Sequence, residues 1–491
     1  MSYWDLDWTA GTIEQGHPEI PLFGTAALTA LVFLRLPAKE DGVPGPMGSF
    51  EKKIIAAILT RIRADRAEPP VQSAALRDRS SGPVVPAKLR QARFSDFAGV
   101  AQLKQRWGMA PDSLENWARL WRHNPALAHM KSEVPIGWIL EAGGKVVGYQ
   151  GNIATLYRYG DRTVTAVTGH GLVIEPPYRA TALSISSAFY RQPTVDLILN
   201  TSSIEAVGKV ARAFKANALP QVDYDSVLSW VLRPFPFART VMEKFTRKPA
   251  LVHPGGALGA LALGVDKILH GRWPRGSSKS CPVTEIGVNE IGYDFEALWN
   301  AKLTEGLRLF AVRDAATLRW HFDIPWDGAS TRVLCCYKNR ELLGYAVIRT
   351  HWYQGVGPRR SFIADLLIKE DDPEVLRALF VAAYGHAKRA GSDILEVLGF
   401  PPNIRRVLSQ WNPYVRRYPA CPFYYKATEP VLHKALSDGT VWYATPFDGD
   451  TTLTPLLAKS EPPSGTTRIQ TEDQGDDVTS DLPERDRTEV Y

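Results

Sequence analysis

Residues 169–219 constrain this chain more than any other stretch. A strand-like run, 163–174, ends in Glu175-Pro176-Pro177-Tyr178-Arg179 and passes into residues 180–191, whose composition suits a helix. A second apolar strand, 195–199, and a second helix, 205–217, follow. A strand that stops abruptly before a helix with small residues in its first turn leaves backbone N–H groups unpaired there, where a phosphate can dock. The pattern points to an acyl-CoA or nucleotide site.

The chain has 491 residues, too many for one core, with 45% hydrophobic and 22% charged residues, so it can bury substantial interiors. Its formal charge is +6. Nine acids against four bases in 459–491 leave the rest of the chain clearly basic. The Lys and Arg of that body are dispersed, without the stripe that nucleic acid requires, so no nucleic-acid partner is expected. The four cysteines, Cys281, Cys335, Cys336 and Cys421, are too few and too irregularly spaced for a disulfide scaffold, which suggests a reducing cytoplasm. No Cys-x-x-Cys or His-x-x-x-His spacing points to a metal. Residues 20–34 are apolar, but 15 residues fall short of the ~20 a membrane span needs. Acids precede them where a signal peptide carries bases. They read as a buried or interfacial helix, with membrane contact through 20–34 as the alternative.

Residues 1–89 mix Pro/Gly clusters with one amphipathic run, 50–63, and read as a poorly ordered leader. Two amphipathic helices, 96–107 and 113–121, then precede a hairpin, 136–141 and 145–157, turned by Gly143-Gly144. Residues 241–272 form a helical connector whose Gly/Ala/Leu run is broken by Asp266 and Lys267, suiting a packed helix more than a membrane one. The second half repeats the texture of the first. Gly143-Gly144-Lys145-Val146-Val147-Gly148-Tyr149 compares with Asn339-Arg340-Glu341-Leu342-Leu343-Gly344-Tyr345, and hairpin, strand, helix, strand, helix and a closing strand, 423–427, follow in the same order. The chain therefore divides into the leader 1–89, a first domain 90–235, a connector 236–282, a second domain 283–450 and an acidic disordered tail 451–491. The fold class is α+β: two tandem domains, each a mixed, mostly antiparallel sheet flanked by helices.

The order of elements in 90–233 resembles the acyl-CoA-binding core of the GNAT acyltransferase superfamily. That family's loop runs Arg or Gln, two residues, Gly, one residue, then Gly or Ala. Arg179-Ala180-Thr181-Ala182-Leu183-Ser184 keeps the Arg and puts Ala182 and Ser184 at the glycine places. The resemblance implies an N-acyltransferase moving an acyl group, acetyl in the first instance, from acetyl-CoA or another acyl-CoA to an amine acceptor, a small molecule or a polysaccharide precursor. Arg179 and the N–H groups of Ala180, Thr181, Ala182, Leu183 and Ser184 would hold the pyrophosphate. The backbone of Leu172, Val173 and Ile174 would polarise the thioester carbonyl, and Asn200 would meet the pantetheine arm. The second copy has Ile368-Lys369-Glu370-Asp371-Asp372-Pro373 at its loop, acids that repel a phosphate. It resembles a degenerate unit that shapes the acceptor cleft.

Acyl transfer to an amine needs a base, and two residues near the strand end qualify. His170 lies between Gly169 and Gly171, which open the strand to a substrate, and Glu175 ends it. A strand histidine satisfied by a neighbour and a solvated loop acid are the plainer readings of the two. The family's thiolate acid is a tyrosine on the last helix, where this chain has Phe214. In the second half, Asp365 among apolar neighbours and His386 are further candidates, with a structural hydrogen-bond role for Asp365 as the alternative. A Fem-type aminoacyltransferase, or a catalytically silent GNAT-fold binding protein, fits the same order of elements.

Overall fold

A computed structural model describes residues 85–203, 205–246, 249–275, 281–324, 329–351, 357–417 and 423–453. These all fall in one unit, Met1–Lys459; the second unit, Ser460–Tyr491, lies outside the described residues, as do the apolar segment 20–34 and the amphipathic run 50–63.

In chain order the strands are β1 (Lys88–Gln91), β2 (Gly137–Ala142), β3 (Lys145–Tyr159), β4 (Arg162–Ile174), β5 (Leu197–Asn200), β6 (Asn217–Ala218), β7 (Ser226–Val231), β8 (Val283–Ile286), β9 (Leu309–Ala311), β10 (Ala329–Lys338), β11 (Glu341–His351), β12 (Arg360–Ile368), β13 (Ile394–Leu398), β14 (Tyr414–Arg417) and β15 (Tyr424–Ala427). The helices are α1 (Phe97–Arg106), α2 (Leu114–Trp121), α3 (Ala182–Tyr190), α4 (Glu205–Ala213), α5 (Pro234–Phe245), α6 (Pro249–His270), α7 (Tyr293–Leu303), α8 (Ala315–Phe322), α9 (Pro373–Arg389), α10 (Pro402–Ser409) and α11 (Pro430–Leu436).

Two sheets result, in the orders β1-β2-β3-β4-β5-β15-β6, with β9 on β3, and β14-β7-β13-β12-β11-β10-β8. Each contains a single parallel pair, β4 with β5 and β12 with β13, and is otherwise antiparallel. This is the mixed, mostly antiparallel α+β arrangement that the hairpins and turns predict.

The halves exchange strands. The run 423–427, expected to close the second sheet, instead contributes β15 to the first, pairing with β5 and β6. In return β7, from the first half, pairs with β13 and β14 in the second sheet. A division after residue 235 thus separates β7 from its partners. The largest core mixes both sheets, with Tyr157, Val164 and Leu199 from one and Trp230, Val347 and Leu366 from the other. An edge strand exposes unpaired N–H and C=O groups to any matching strand, and here each half completes the edge of the other.

On the first sheet, side-chain alternation sends Trp138 and Leu140 toward α3 and Ile139 toward α1 and α2. Ser113 caps α2 by accepting from the Asn116 N–H, as the Ser-led helix start predicts. The segment 445–453 then threads between the sheets. Thr452 and Leu453 are fully buried, so the ordered chain runs past the boundary expected at residue 450. Cys281 and Cys336 are joined, with Cα atoms 5.9 Å apart, while Cys335 is free and buried. One bond is no scaffold, but register explains it: Cys336 faces Val283 where β10 pairs with β8.

Candidate functional site

The β4–β5 ladder runs from Ala166 opposite Leu197 to Thr168 opposite Leu199 and stops. Past it β4 continues toward Ile174 paired with β3 only, so the two strands part. A bulge sits at this point. Gly151 pairs with His170 and Tyr149 with Val173, which gives β4 one residue more than β3. Gly171, at φ +62°, takes up the extra residue. A bulge leaves one residue out of the ladder and re-aims its neighbours. Any Cβ on Gly171 would also stand 3.1 Å from Lys104 Cε and Nζ.

His170 is buried under this bulge among charged groups. Lys104 Nζ lies 3.4 Å from its Nε2, Asp112 Oδ2 3.6 Å from the same nitrogen, and Asp450 Oδ2 3.4 Å from Nδ1. Lys104 and Asp112 pair at 2.5 Å, both buried, and Asn116 donates to Asp112. Nε2 therefore has a partner in either state: the neutral ring accepts from Lys104, and the imidazolium donates to Asp112. Burial and the Lys104 charge push the His170 pKa down. The hydrogen bonds to Asp112 and Asp450 and the Asp112 charge outweigh them, and the net shift is upward. Asp112 sits well below the usual carboxylate range, because the Lys104 charge and His170 overcome its burial.

Asp450 arrives on the segment 445–453. Thr201 and Ser202, just past β5, donate to its Oδ1 at 3.1 and 2.9 Å, while its Oδ2 faces His170 on β4. Asp450 thus bridges the two diverging strands. The same segment continues between His321, whose Nε2 lies 2.7 Å from Thr452 Oγ1, and Arg349, which donates to the Thr452 carbonyl; Arg119 donates to the Leu453 carbonyl. A small cavity beside it is lined by Asn124, Thr155, Thr317, Trp320, His321 and Phe447 among others.

The second sheet repeats the bulge. Val347 pairs with Asp365 and Ile348 with Ile363, so β12 also carries an extra residue. Counting from Tyr149 and its counterpart Tyr345, Asp365 occupies the place of His170, since each lies opposite the residue two beyond the tyrosine. Asp365 is fully buried against the Arg313 guanidinium and accepts from Tyr345 and Thr445; Asp448 adds a second carboxylate to Arg313. Asp365 therefore has the structural partners of the plainer reading. His386, on α9, pairs with Glu285 of β8.

The remaining candidates distribute as follows. Glu175 lies between Arg106 and Lys145, at 3.0 and 3.1 Å, and none of its ionic partners is shared with His170. Arg179 and Ala180 are exposed. The turn 176–181 is a 3-10 helix in which the Tyr178 N–H bonds Glu175 and the Ala182 N–H bonds Arg179. The cradle expected from residues 180–184 accordingly shrinks to the N–H groups of Leu183 and Ser184, whose side chains are exposed, at the first turn of α3, where no side chain caps the helix. Val173 and Ile174 are in register with Tyr149 and Gly148, which leaves the bulge at Gly171 and Leu172 as the break in the ladder. Asn200 is buried and accepts from Ser203. Phe214 stacks on Tyr190 with ring centroids 5.5 Å apart. In the second sheet the α9 start is capped by Asp372, and Asp371 is held by Lys302 and Arg308, so two of that loop's three acids are bound to the protein itself.

Lys104, Asp112 and Asp450 were not singled out from sequence. Lys104 carried a signal, since it falls on the apolar stripe of α1 with Val100 and Leu103. Asp112 and Asp450 had none beyond their type. Among the described residues no His/Cys/Asp/Glu cluster suits a metal ion, and no helix is long and apolar enough to cross a membrane.

No family model matches the sequence, and no curated protein matches it. Among solved structures, the chain is similar to a GCN5-related N-acetyltransferase from Anabaena variabilis ATCC 29413, at 12% identity and TM-score 0.43 over 70% of this chain and 73% of that one. Another GCN5-related N-acetyltransferase, from Kribbella flavida, is 11% identical at TM-score 0.43 over 70% and 71%. A conserved protein of unknown function from Enterococcus faecalis V583, titled a probable N-acyltransferase, is 8% identical at TM-score 0.45 over 70% and 73%.

Proposed function

We propose that this chain is an acyl-CoA-dependent N-acyltransferase that moves an acyl group, acetyl in the first instance, from CoA to an amine. The observation that carries this reading is His170, held between two carboxylates at the bulge where β4 leaves β5. The pantetheine arm runs past the point where β4 and β5 part. The pyrophosphate lies at the uncapped start of α3, attracted by Arg179 and by the Leu183 and Ser184 N–H groups.

The acceptor nitrogen attacks the thioester carbonyl, whose oxygen takes a hydrogen bond from the N–H that the bulge spares; one such donor is typically worth ~3–4 kcal/mol of barrier. His170 Nε2 takes the amine proton, the C–S bond breaks, and the imidazolium returns the proton to the departing thiolate. The same histidine thus supplies the acid that Phe214 lacks. Asp112 stabilises the imidazolium and Asp450 fixes the ring. Acyl-CoA chemistry puts the protein in the cytoplasm, where the Cys281–Cys336 pair would be kept as thiols. The acceptor is a small amine or an amine-bearing polysaccharide precursor.

Isothermal titration of acetyl-CoA into the protein and into Arg179→Glu tests the reading. Binding that weakens in the variant supports it; equal binding, or none to either, refutes it. A non-catalytic GNAT-fold binding protein is the second reading, favoured by the burial of His170 beneath 445–453 at 8% exposure. CoA binding without turnover across an amine panel would select it.

A further inference from the structure

The hairpin α5–α6, between β7 and β8, presents a surface that this chemistry does not use. α6 turns Val252, Gly256, Gly259 and Leu263 inward. On its outer side Leu251, Leu258, Leu261 and Ile268 follow one another at spacings of seven, three and seven, and are 50, 50, 66 and 70% exposed. No charged residue occurs in 249–265, so the helix is apolar on both faces. Such a helix belongs in a core or against a hydrophobic surface, and a contiguous exposed apolar stripe marks an interaction site.

The segment that carries this stripe is basic: residues 233–275 hold eight Lys or Arg and only two acids. Of these bases Lys267, which donates to the Val231 carbonyl, lies in the last turn of α6, and Arg272 and Arg275 follow it. Those acids, Glu243 and Asp266, are paired with Arg239 and Arg272. Trp273 lies beside Arg275, whose guanidinium stands 4.7 Å from the ring centroid. Aromatic and basic residues flanking an apolar helix suit the boundary between lipid headgroups and hydrocarbon.

We propose that the outer face of α6 docks on an anionic phospholipid surface, with the helix lying in the plane of the interface. Charge complementarity selects this occupant. A second copy meeting the first across a two-fold axis would bring the same bases together, whereas anionic headgroups neutralise them. Crossing the bilayer is not required, as no described helix is long and apolar enough to do so.

The test is co-sedimentation of the full-length protein with phosphatidylcholine vesicles, with and without phosphatidylglycerol. Binding is expected only to the anionic vesicles and should weaken with added salt. Leu258→Glu/Leu261→Glu should lower vesicle affinity by at least about tenfold, since each leucine that enters an apolar phase is worth that much or more. Its melting temperature should not change, because both side chains are exposed. Four results would overturn the proposal: no binding by the wild type, unchanged affinity in the variant, self-association that the variant abolishes, or a lowered melting temperature showing that the protein's own chain covers the stripe. An independent readout is Leu261→Cys carrying an environment-sensitive dye. A blue shift on adding anionic vesicles is then expected, and an unchanged spectrum refutes docking.

Discussion

Replacing Asp450 by Asn removes one of the two carboxylates that raise the proton affinity of His170 while preserving its shape. At an effective dielectric constant of about 20, opposite charges 3.4 Å apart attract by roughly 5 kcal/mol before desolvation is counted. Asp112 remains at 3.6 Å, and single neighbouring charges typically move a pKa by about 1–3 units. The Asp450→Asn variant should therefore lower the His170 pKa by ~1–3 units. Burial and Lys104 are then less opposed, so the folded value moves down from its raised position toward the ordinary one.

The stability consequence shrinks with the shift. In the wild type the folded pKa is raised, so the contribution of His170 is complete below its unfolded pKa of about 6.5 and fades as pH rises through the folded value. In the variant the folded pKa is lower, so the stability that His170 contributes at low pH is smaller. NMR titration of the His170 ring, assigned by the resonance missing in His170→Gln, gives the pKa directly. Urea denaturation across the same pH range gives the stability. An unchanged pKa in Asp450→Asn would refute the bridge between the strands, whatever the activity. A shifted pKa with no turnover in either protein would refute only the proposed reaction.

Other perturbations follow from the same contacts. Gly171→Ala places a Cβ at φ +62°, 3.1 Å from the Lys104 side chain, and should cost at least ~1–2 kcal/mol in urea denaturation; a neutral result would remove the bulge. Arg313→Met strands Asp365 and Asp448 without their cation and should cost about 3–5 kcal/mol, whereas Arg313→Met/Asp365→Leu should cost less than the single change. If the double variant is the less stable, the pair is not what offsets the burial. Cys281→Ser opens a bond that closes a separation of 55 residues and should lower stability by roughly 4 kcal/mol under oxidising conditions. With dithiothreitol the two proteins should melt within a degree or so of each other, and a persisting gap would assign the loss to packing.

Much of this molecule was legible because it is local. The Gly143-Gly144 hairpin, the Ser113-capped helix and the strand that stops at Pro176-Pro177 each follow from turn chemistry, capping and periodicity within a dozen residues. His170 was legible as a candidate for the same reason, since a histidine between two glycines near a strand end is visible in the sequence. The repeat of Gly148-Tyr149 as Gly344-Tyr345 was equally plain, and it aligned two bulged strands. Its limits show in Glu175, which had the right position but is neutralised by Arg106 and Lys145, residues 69 and 30 positions away. The proposed phosphate loop was legible only in part. Small residues at 180–184 permit an open helix start, but Pro176 and Pro177 favour an early 3-10 turn that takes up the Ala182 N–H.

The amino-acid sequence by itself determined the elements: their periods, their starts and stops, the doubled order, and the small residues that let a strand bulge. Tertiary structure alone decided which strand completes which sheet. β7 and β15 are short apolar runs that fit either edge equally well by pattern, and only packing around the shared core assigns each to the opposite half. It also decided the surroundings of His170. Lys104, Asp112 and Asp450 are brought together from positions separated by up to 346 residues, and no local rule makes such a distant carboxylate a neighbour. A histidine's charge state follows from what packs against it, so the residue could be found in the sequence while its chemistry had to wait for the fold.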